Sequence, residues 1–199
     1  MKRLILASNN GKKLAELRAL LAPLGIEVVP QGELGVCEAE EPHCTFVENA
    51  LAKARHAALA TGLPALADDS GLCVDALGGA PGVISARYAG EPKSDARNNE
   101  KLLADLAPFA QEQERCAHFA CVLALVRSAA DPQPLIAEGE CRGHILAAPR
   151  GTGGFGYDPL FWLPELGKTM AELDAGEKNG ISHRARAMAR LLERLADCR

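Results

Sequence analysis

Two neighbouring acids, Asp68 and Asp69, directly follow the apolar run Ala65-Leu66-Ala67. Adjacent like charges repel, and a carboxylate at a buried strand end has a raised pKa unless a cation stands beside it. A hard, oxygen-liganded metal such as Mg²⁺ removes both costs. Glu38, Glu40 and Glu41 are the nearest other acids. Alone they read as a solvated charge run, and only proximity to Asp68 and Asp69 in the fold makes them ligands. An aspartate-nucleophile phosphatase of the D-x-D type does not fit D-D-S, because in an extended segment neighbours point to opposite sides and only i and i+2 share one.

Three further segments carry polar groups at places where chemistry is done. Ser8-Asn9-Asn10-Gly11-Lys12-Lys13 lies where a strand hands over to a helix. Its backbone N–H groups and lysines can hold an anionic phosphate tail; the alternative is a capped turn with two solvated lysines. Gly151-Thr152-Gly153-Gly154-Phe155-Gly156 matches G-x-G-x-x-G literally, yet Pro149 before it and Asp158-Pro159 after it disfavour the helix that a dinucleotide fingerprint must open. The segment reads instead as a loop whose glycines let the backbone approach a flat ligand, with Phe155 placed to stack and Asp158 to accept hydrogen bonds. Lys178 by default is surface charge. His183 and Arg184 stand in the first turn of a helix, where the macrodipole disfavours cations.

Composition limits what these groups can serve. The chain has 199 residues, 48% hydrophobic and 24% charged, which fits one large domain or two closely packed lobes with a substantial core. Its net charge of −4 argues against polymeric nucleic acid, usually held by a basic face, but leaves room for a small anion in a local pocket. The early apolar run Leu4 to Ala7 is too short for a secretory signal, so a cytoplasmic location is expected. The later run Cys121 to Val126 is far below the about 20 residues of a membrane span. The seven cysteines, Cys198 among them, include no C-x-x-C pair, and the five histidines no H-x₃₋₅-H spacing, which points to free buried thiols rather than zinc or disulfides.

The positioning elements follow from periodicity. Lys2 to Ala7 reads as a buried strand, then Leu14, Leu17, Leu20, Leu21 and Leu24 recur at helical spacing until Pro23 and Gly25, and Ile26 to Val29 forms a second strand. Thr45-Phe46-Val47-Glu48 has capping-box spacing, which starts a helix with Val47, Leu51, Ala54 and Ala58 on its apolar stripe and Asn49, Lys53 and His56 on another face. Ala65 to Ala67 is a short strand ending at the acids. A glycine-rich loop spans 78–82, a helix runs from Ser94 through Leu106, and Ala117 to Leu125 is a strand covered on both sides. Leu135 to Ile145 forms a strand or hairpin. Ser182 caps a last helix with Met188, Leu191, Leu192 and Leu195 buried.

Together, SNNGKK (8–13), TFVENALAKA (45–54), ADDSGL (67–72), GGAPG with SARY (78–88), GTGGFGYDP (151–159) and EKNGISHR (177–184) resemble the inosine/xanthosine triphosphate pyrophosphatase family over nearly the whole chain. Many relatives read N-x-G-K in the first segment; here Lys12 stands at that glycine's place and Lys13 keeps its own. The resemblance implies one α/β domain over residues 1–199, with a mixed central sheet, flanking helices and two lobes around a deep cleft, usually as a homodimer. It implies Mg²⁺-dependent attack of water on the α-phosphate of ITP, dITP or XTP, giving monophosphate and pyrophosphate. By motif, Ser8, Asn10, Lys13 and Lys53 would hold the triphosphate, with Asn9, Gly11 and Lys12 in the same loop. Asp69 would be the general base or metal-linked acid, and Asp68, Asp69, Glu41 and Glu40 would bind Mg²⁺. Ser70, Phe155, Gly156, Tyr157, Asp158, Lys178, His183 and Arg184 would form the nucleoside pocket. A hydrolase of other base specificity and a nucleotide-binding module without turnover are the rival readings.

Overall fold

The computed structural model describes residues 3–22 and 25–197. The expectations placed on Lys2, Pro23, Leu24 and Cys198 lie outside them. The chain opens β-α-β: β1 (Arg3–Leu6), α1 (Gly11–Leu21) and β2 (Glu27–Pro30). It continues with α2 (Phe46–Thr61), β3 (Ala65–Val74), α3 (Asp95–Asp105), β4 (Cys116–Val126), β5 (Leu135–Ile145), β6 (Phe161–Leu163), β7 (Lys168–Thr169), α4 (Ala175–Ile181) and α5 (His183–Asp197). The strands form one seven-stranded sheet in the order β2-β1-β3-β4-β5-β6-β7. It is mixed, since β1 is parallel to β2 and β3 while β6 is antiparallel to β5 and β7.

The fold divides into two compact units: Met1–Asp69, Cys121–Gly139 and Arg184–Arg199 form the first, Ser70–Ala120 and Glu140–His183 the second. In the first, strand alternation sorts the core into two layers. Leu4, Leu6, Leu66 and Leu123 pack with Leu17 and Leu21 of α1 and Met188 and Leu191 of α5. Ile5, Ala65, Ala67 and Val122 pack with Ala50, Ala54 and Ala57 of α2, whose small side chains cover the strands. The second unit has its own core, in which Leu72, Val74 and Phe119 meet Leu102 and Leu106 of α3 and Tyr157, Phe161 and Met170.

Two expectations need correction. The acids do not end a strand: β3 runs ten residues and carries Asp68 and Asp69 in its middle. A strand can continue through two charges because each finds cations on its own side, as described below. Asn49, on the face of Lys53 and His56, is 1% exposed, because its amide donates to the His43 carbonyl and accepts from the His43 N–H, closing the turn before α2. Thr45 does cap α2 by accepting from the Glu48 N–H, but the Glu48 carboxylate accepts from the Thr45 hydroxyl rather than from a backbone N–H. Leu135 to Ile145, left open between strand and hairpin, is a single strand. The helix α4, unmarked by any apolar periodicity, is held at its start by an Asp174–Glu177 capping box.

Candidate active site

The first unit gathers its charges on β3. Because neighbouring strand residues point to opposite faces, Asp68 lies on the side of α1 and α5 and Asp69 on the side of α2. Asp68 Oδ1 accepts from Lys13 Nζ at 2.6 Å and Asp68 Oδ2 from Arg184 Nε at 2.7 Å. The buried thiol of Cys121 donates to Oδ2 at 3.2 Å. Burial alone would raise the Asp68 pKa, but the Arg184 and Lys13 charges outweigh it and hold the carboxyl well below the usual carboxylate range. Arg184 also pairs with Glu16. Two carboxylates therefore answer the charge that the helix dipole disfavours at the start of α5.

On the other face, Lys53 Nζ donates to Asp69 Oδ1 at 2.7 Å and to Glu41 Oε1 at 2.8 Å. Burial raises the Asp69 pKa and Lys53 only partly opposes it. Burial works against the Lys53 ammonium, yet its two carboxylates raise its pKa overall. The second oxygen, Asp69 Oδ2, is buried and accepts no hydrogen bond. An orphaned anionic oxygen is costly unless it serves a ligand. Among the described residues no group of three or more His, Cys, Asp or Glu is placed to hold a metal ion. The orphaned Asp69 Oδ2, with Glu41 beside Lys53, could hold a Mg²⁺ that keeps most of its waters, since such an ion needs only one or two carboxylates. Glu41 joins this group through Lys53, whereas Glu40 is exposed. Both oxygens of Asp68 are already engaged by cations.

The phosphate-loop residues are built around a helix cap. Asn10 Oδ1 accepts from the N–H groups of both Lys12 and Lys13 at 3.1 Å. The capped turn is thus present, and Ser8 Oγ accepts from the Asn10 N–H. Asn9 packs on the turn after β2, where a Cβ on Gly32 would come within 2.8 Å of its Oδ1. Gly11 is the first residue of α1.

The second unit assembles the aromatic residue, the acid and the lysine picked out by their types. Asp158, 3% exposed, accepts through Oδ2 from Lys178 Nζ at 2.9 Å and from the Phe155 N–H at 2.8 Å. Lys178 Nζ also stands 4.7 Å from the centre of the Phe155 ring. His183 stacks on Phe119 with ring centres 4.9 Å apart. The Tyr157 hydroxyl donates to the Ser85 carbonyl inside the core, so its ring is part of the packing. Ser70 is half-buried on β3. Two of the loop's glycines lie close against the fold itself: a Cβ on Gly153 would lie 2.8 Å from the Ala171 carbonyl oxygen, and one on Gly154 2.0 Å from Asp158 Oδ2.

Comparison with known proteins bears on this arrangement. The sequence model of the Ham1 family matches residues 4–194. The chain belongs to the Ham1 family. Among its Ham1 relatives is the dITP/XTP pyrophosphatase of Ralstonia nicotianae, 67% identical with 98% of this chain and 97% of that one covered. The dITP/XTP pyrophosphatase of Aromatoleum aromaticum is 68% identical over 98% and 96% of the two chains. The solved structure of a HAM1 protein from Coxiella burnetii superposes with a TM-score of 0.91 at 51% identity, covering 99% of this chain and 100% of that one.

Several residues of these clusters escape a reading by residue type alone. Glu16 and Cys121 touch the Arg184–Asp68 pair, and Asp95 and Asn99 touch the Gly156 backbone. Only Asn99 carried a signal, as the second of two adjacent asparagines within a helix. Arg184, grouped by resemblance with the nucleoside residues, has its guanidinium on Asp68 and Glu16.

Proposed function

We propose that the chain hydrolyses the non-standard purine triphosphates ITP, dITP and XTP to monophosphate and pyrophosphate, with Mg²⁺. The observation that carries the reading is the buried, unpaired Asp69 Oδ2 beside Lys53, supported by relatives named dITP/XTP pyrophosphatase. Lys13 and Lys53, with Ser8 and the 8–13 loop, offset the phosphate charge so that an anion can accept a nucleophile. Asp69, whose pKa burial raises, takes the proton of the attacking water. Asp69 and Glu41 would hold Mg²⁺, which when bound polarises phosphate oxygens and lowers the pKa of its water. Asp68 keeps Lys13 and Arg184 in place.

Selectivity rests on the base. Hypoxanthine and xanthine present an O6 acceptor beside an N1–H donor, and adenine reverses both. Phe155 stacks on any purine while Lys178 covers its other face. Asp158 or a nearby carbonyl accepts from N1–H, and His183 with first-turn N–H groups of α5 donates to O6. Guanine is refused at position 2, where its amine meets a donor. Each buried unpaired group costs about 1–3 kcal/mol, so two mismatches supply a factor of roughly 10² to 10⁴.

The protein is further proposed to act as a cytoplasmic homodimer. Among the described residues no helix is long and apolar enough to cross a membrane. One assay tests the activity: incubation with Mg²⁺ and ITP, XTP, dITP, ATP and GTP, with the products identified. Pyrophosphate from the first three and little from ATP or GTP is expected. Orthophosphate would favour another hydrolase, and no turnover a binding module.

A further inference from the structure

Near the start of α3, Asn98 and Asn99 both hold backbone groups, although asparagine is a poor residue for a helix interior. Asn98 Nδ2 donates to the carbonyls of Ser85 and Ala86, and its Oδ1 accepts from the Ala89 N–H at 2.8 Å. Asn99 Nδ2 donates to the Asp95 carbonyl and to the Gly156 carbonyl, each at 2.9 Å. One turn earlier, Asp95 Oδ2 accepts from the Gly156 N–H at 2.8 Å. The two peptide planes flanking Gly156 are therefore each fixed by a side chain of the same helix. Gly156 has φ +60°, the left-handed conformation that glycine tolerates.

The segment these bonds hold is a closed turn. The Phe155 N–H donates to Asp158 Oδ2 and the Asp158 N–H to the Phe155 carbonyl. Phe155 and Asp158 are thus tied into one turn, and α3 holds its Gly156 backbone. Packing does not explain the choice of Asn99. Its Oδ1 is buried and unpaired, a cost that an apolar side chain would avoid and that is offset by the two donations.

We propose that Asp95 and Asn99 are positioning residues for purine recognition, setting the height and tilt of Phe155 and Asp158 through the Gly156 backbone. The proposal rests on reading Phe155 and Asp158 as the groups that meet the base. It is tested with Asp95→Ala, which removes an exposed carboxylate, and Asn99→Asp, which keeps the shape but turns acceptors toward two carbonyls. Each variant is assayed with ITP, XTP and ATP, with inhibition by pyrophosphate, which has no base, and with thermal melting. Both should raise KM for ITP and XTP about tenfold, the loss of roughly one hydrogen bond. The ITP-to-ATP ratio of kcat/KM should narrow, while kcat and the pyrophosphate inhibition constant stay within a factor of about two, well below one hydrogen bond. If Asn99→Asp does not fold, Asp95→Ala decides alone. Unchanged KM and ratio in a folded variant, or an inhibition constant that rises in step with KM, would overturn the clamp. A parent that releases no pyrophosphate from any purine triphosphate would overturn the functional reading and the clamp with it; an active parent with indifferent variants overturns the clamp only.

Discussion

Asp69 and Asp68 are chemically identical neighbours with opposite electrostatics, because strand geometry gives each a different set of cations. Asp69, raised by burial and left with one unpaired oxygen, suits proton transfer. Asp69→Asn should reduce kcat by on the order of 10²-fold or more, with a melting temperature near the parent's. Near-parental turnover at saturating Mg²⁺ would refute the role. Acting as the proposed base, Asp69 must be ionised, so activity should rise with pH through its raised value. Lys53→Met removes the charge that opposes this rise and should move the acidic limb of kcat/KM to higher pH. A limb that stays in place would assign it to another group. Arg184 belongs to the other side. Arg184→Ala leaves the fully buried Asp68 without its strongest partner, and breaking a buried pair costs about 3–5 kcal/mol. Thermal unfolding reads that loss directly, and a variant as stable as the parent would contradict it.

At the scale of elements, the loop 151–159 shows how local rules and site chemistry coincide. Gly154 has φ +68°, and a Cβ there would collide with Asp158. Gly154→Ala should therefore displace the acceptor and raise KM for ITP roughly tenfold or more, since a buried hydrogen-bond partner is lost. Steady-state kinetics beside a melting curve separates this from unfolding. The loop was legible in the sequence because Pro149 and Asp158-Pro159 exclude a helix, and α5 because Met188, Leu191 and Leu195 repeat at helical spacing. The full length of β3 was not, since two charges in succession look like an end until the cations facing them are known. Those cations come from positions 13, 53 and 184, which no local window links to position 68. The Asp95 and Asn99 contacts were hidden for the same reason: they join residues 57 and 61 positions from Gly156.

For the whole molecule, acid should be the sensitive axis. The depressed Asp68 pKa means that the unfolded chain binds this proton more readily than the native protein. The stability it supplies is complete above the unfolded carboxylate value of about 3.9 and is lost as pH falls through the lower native value. Melting temperature should thus fall steeply on acidification, and less steeply in Asp68→Asn, which has nothing there to protonate. Equal slopes would place the acid sensitivity elsewhere. Light scattering tests the dimer: a mass near the 21.0 kDa of one chain at micromolar concentration would end that proposal. The division of the chain also bears on inheritance. The first unit takes its residues from both ends of the sequence and from Cys121–Gly139 between them. A single crossover between two related genes that falls between Lys13 and Arg184 therefore joins parts of two ancestors within that unit, uniting one parent's Lys13 with the other's Arg184. A double exchange lying wholly between those two positions moves Phe155 and Asp158 while keeping Lys13 and Arg184 from one lineage.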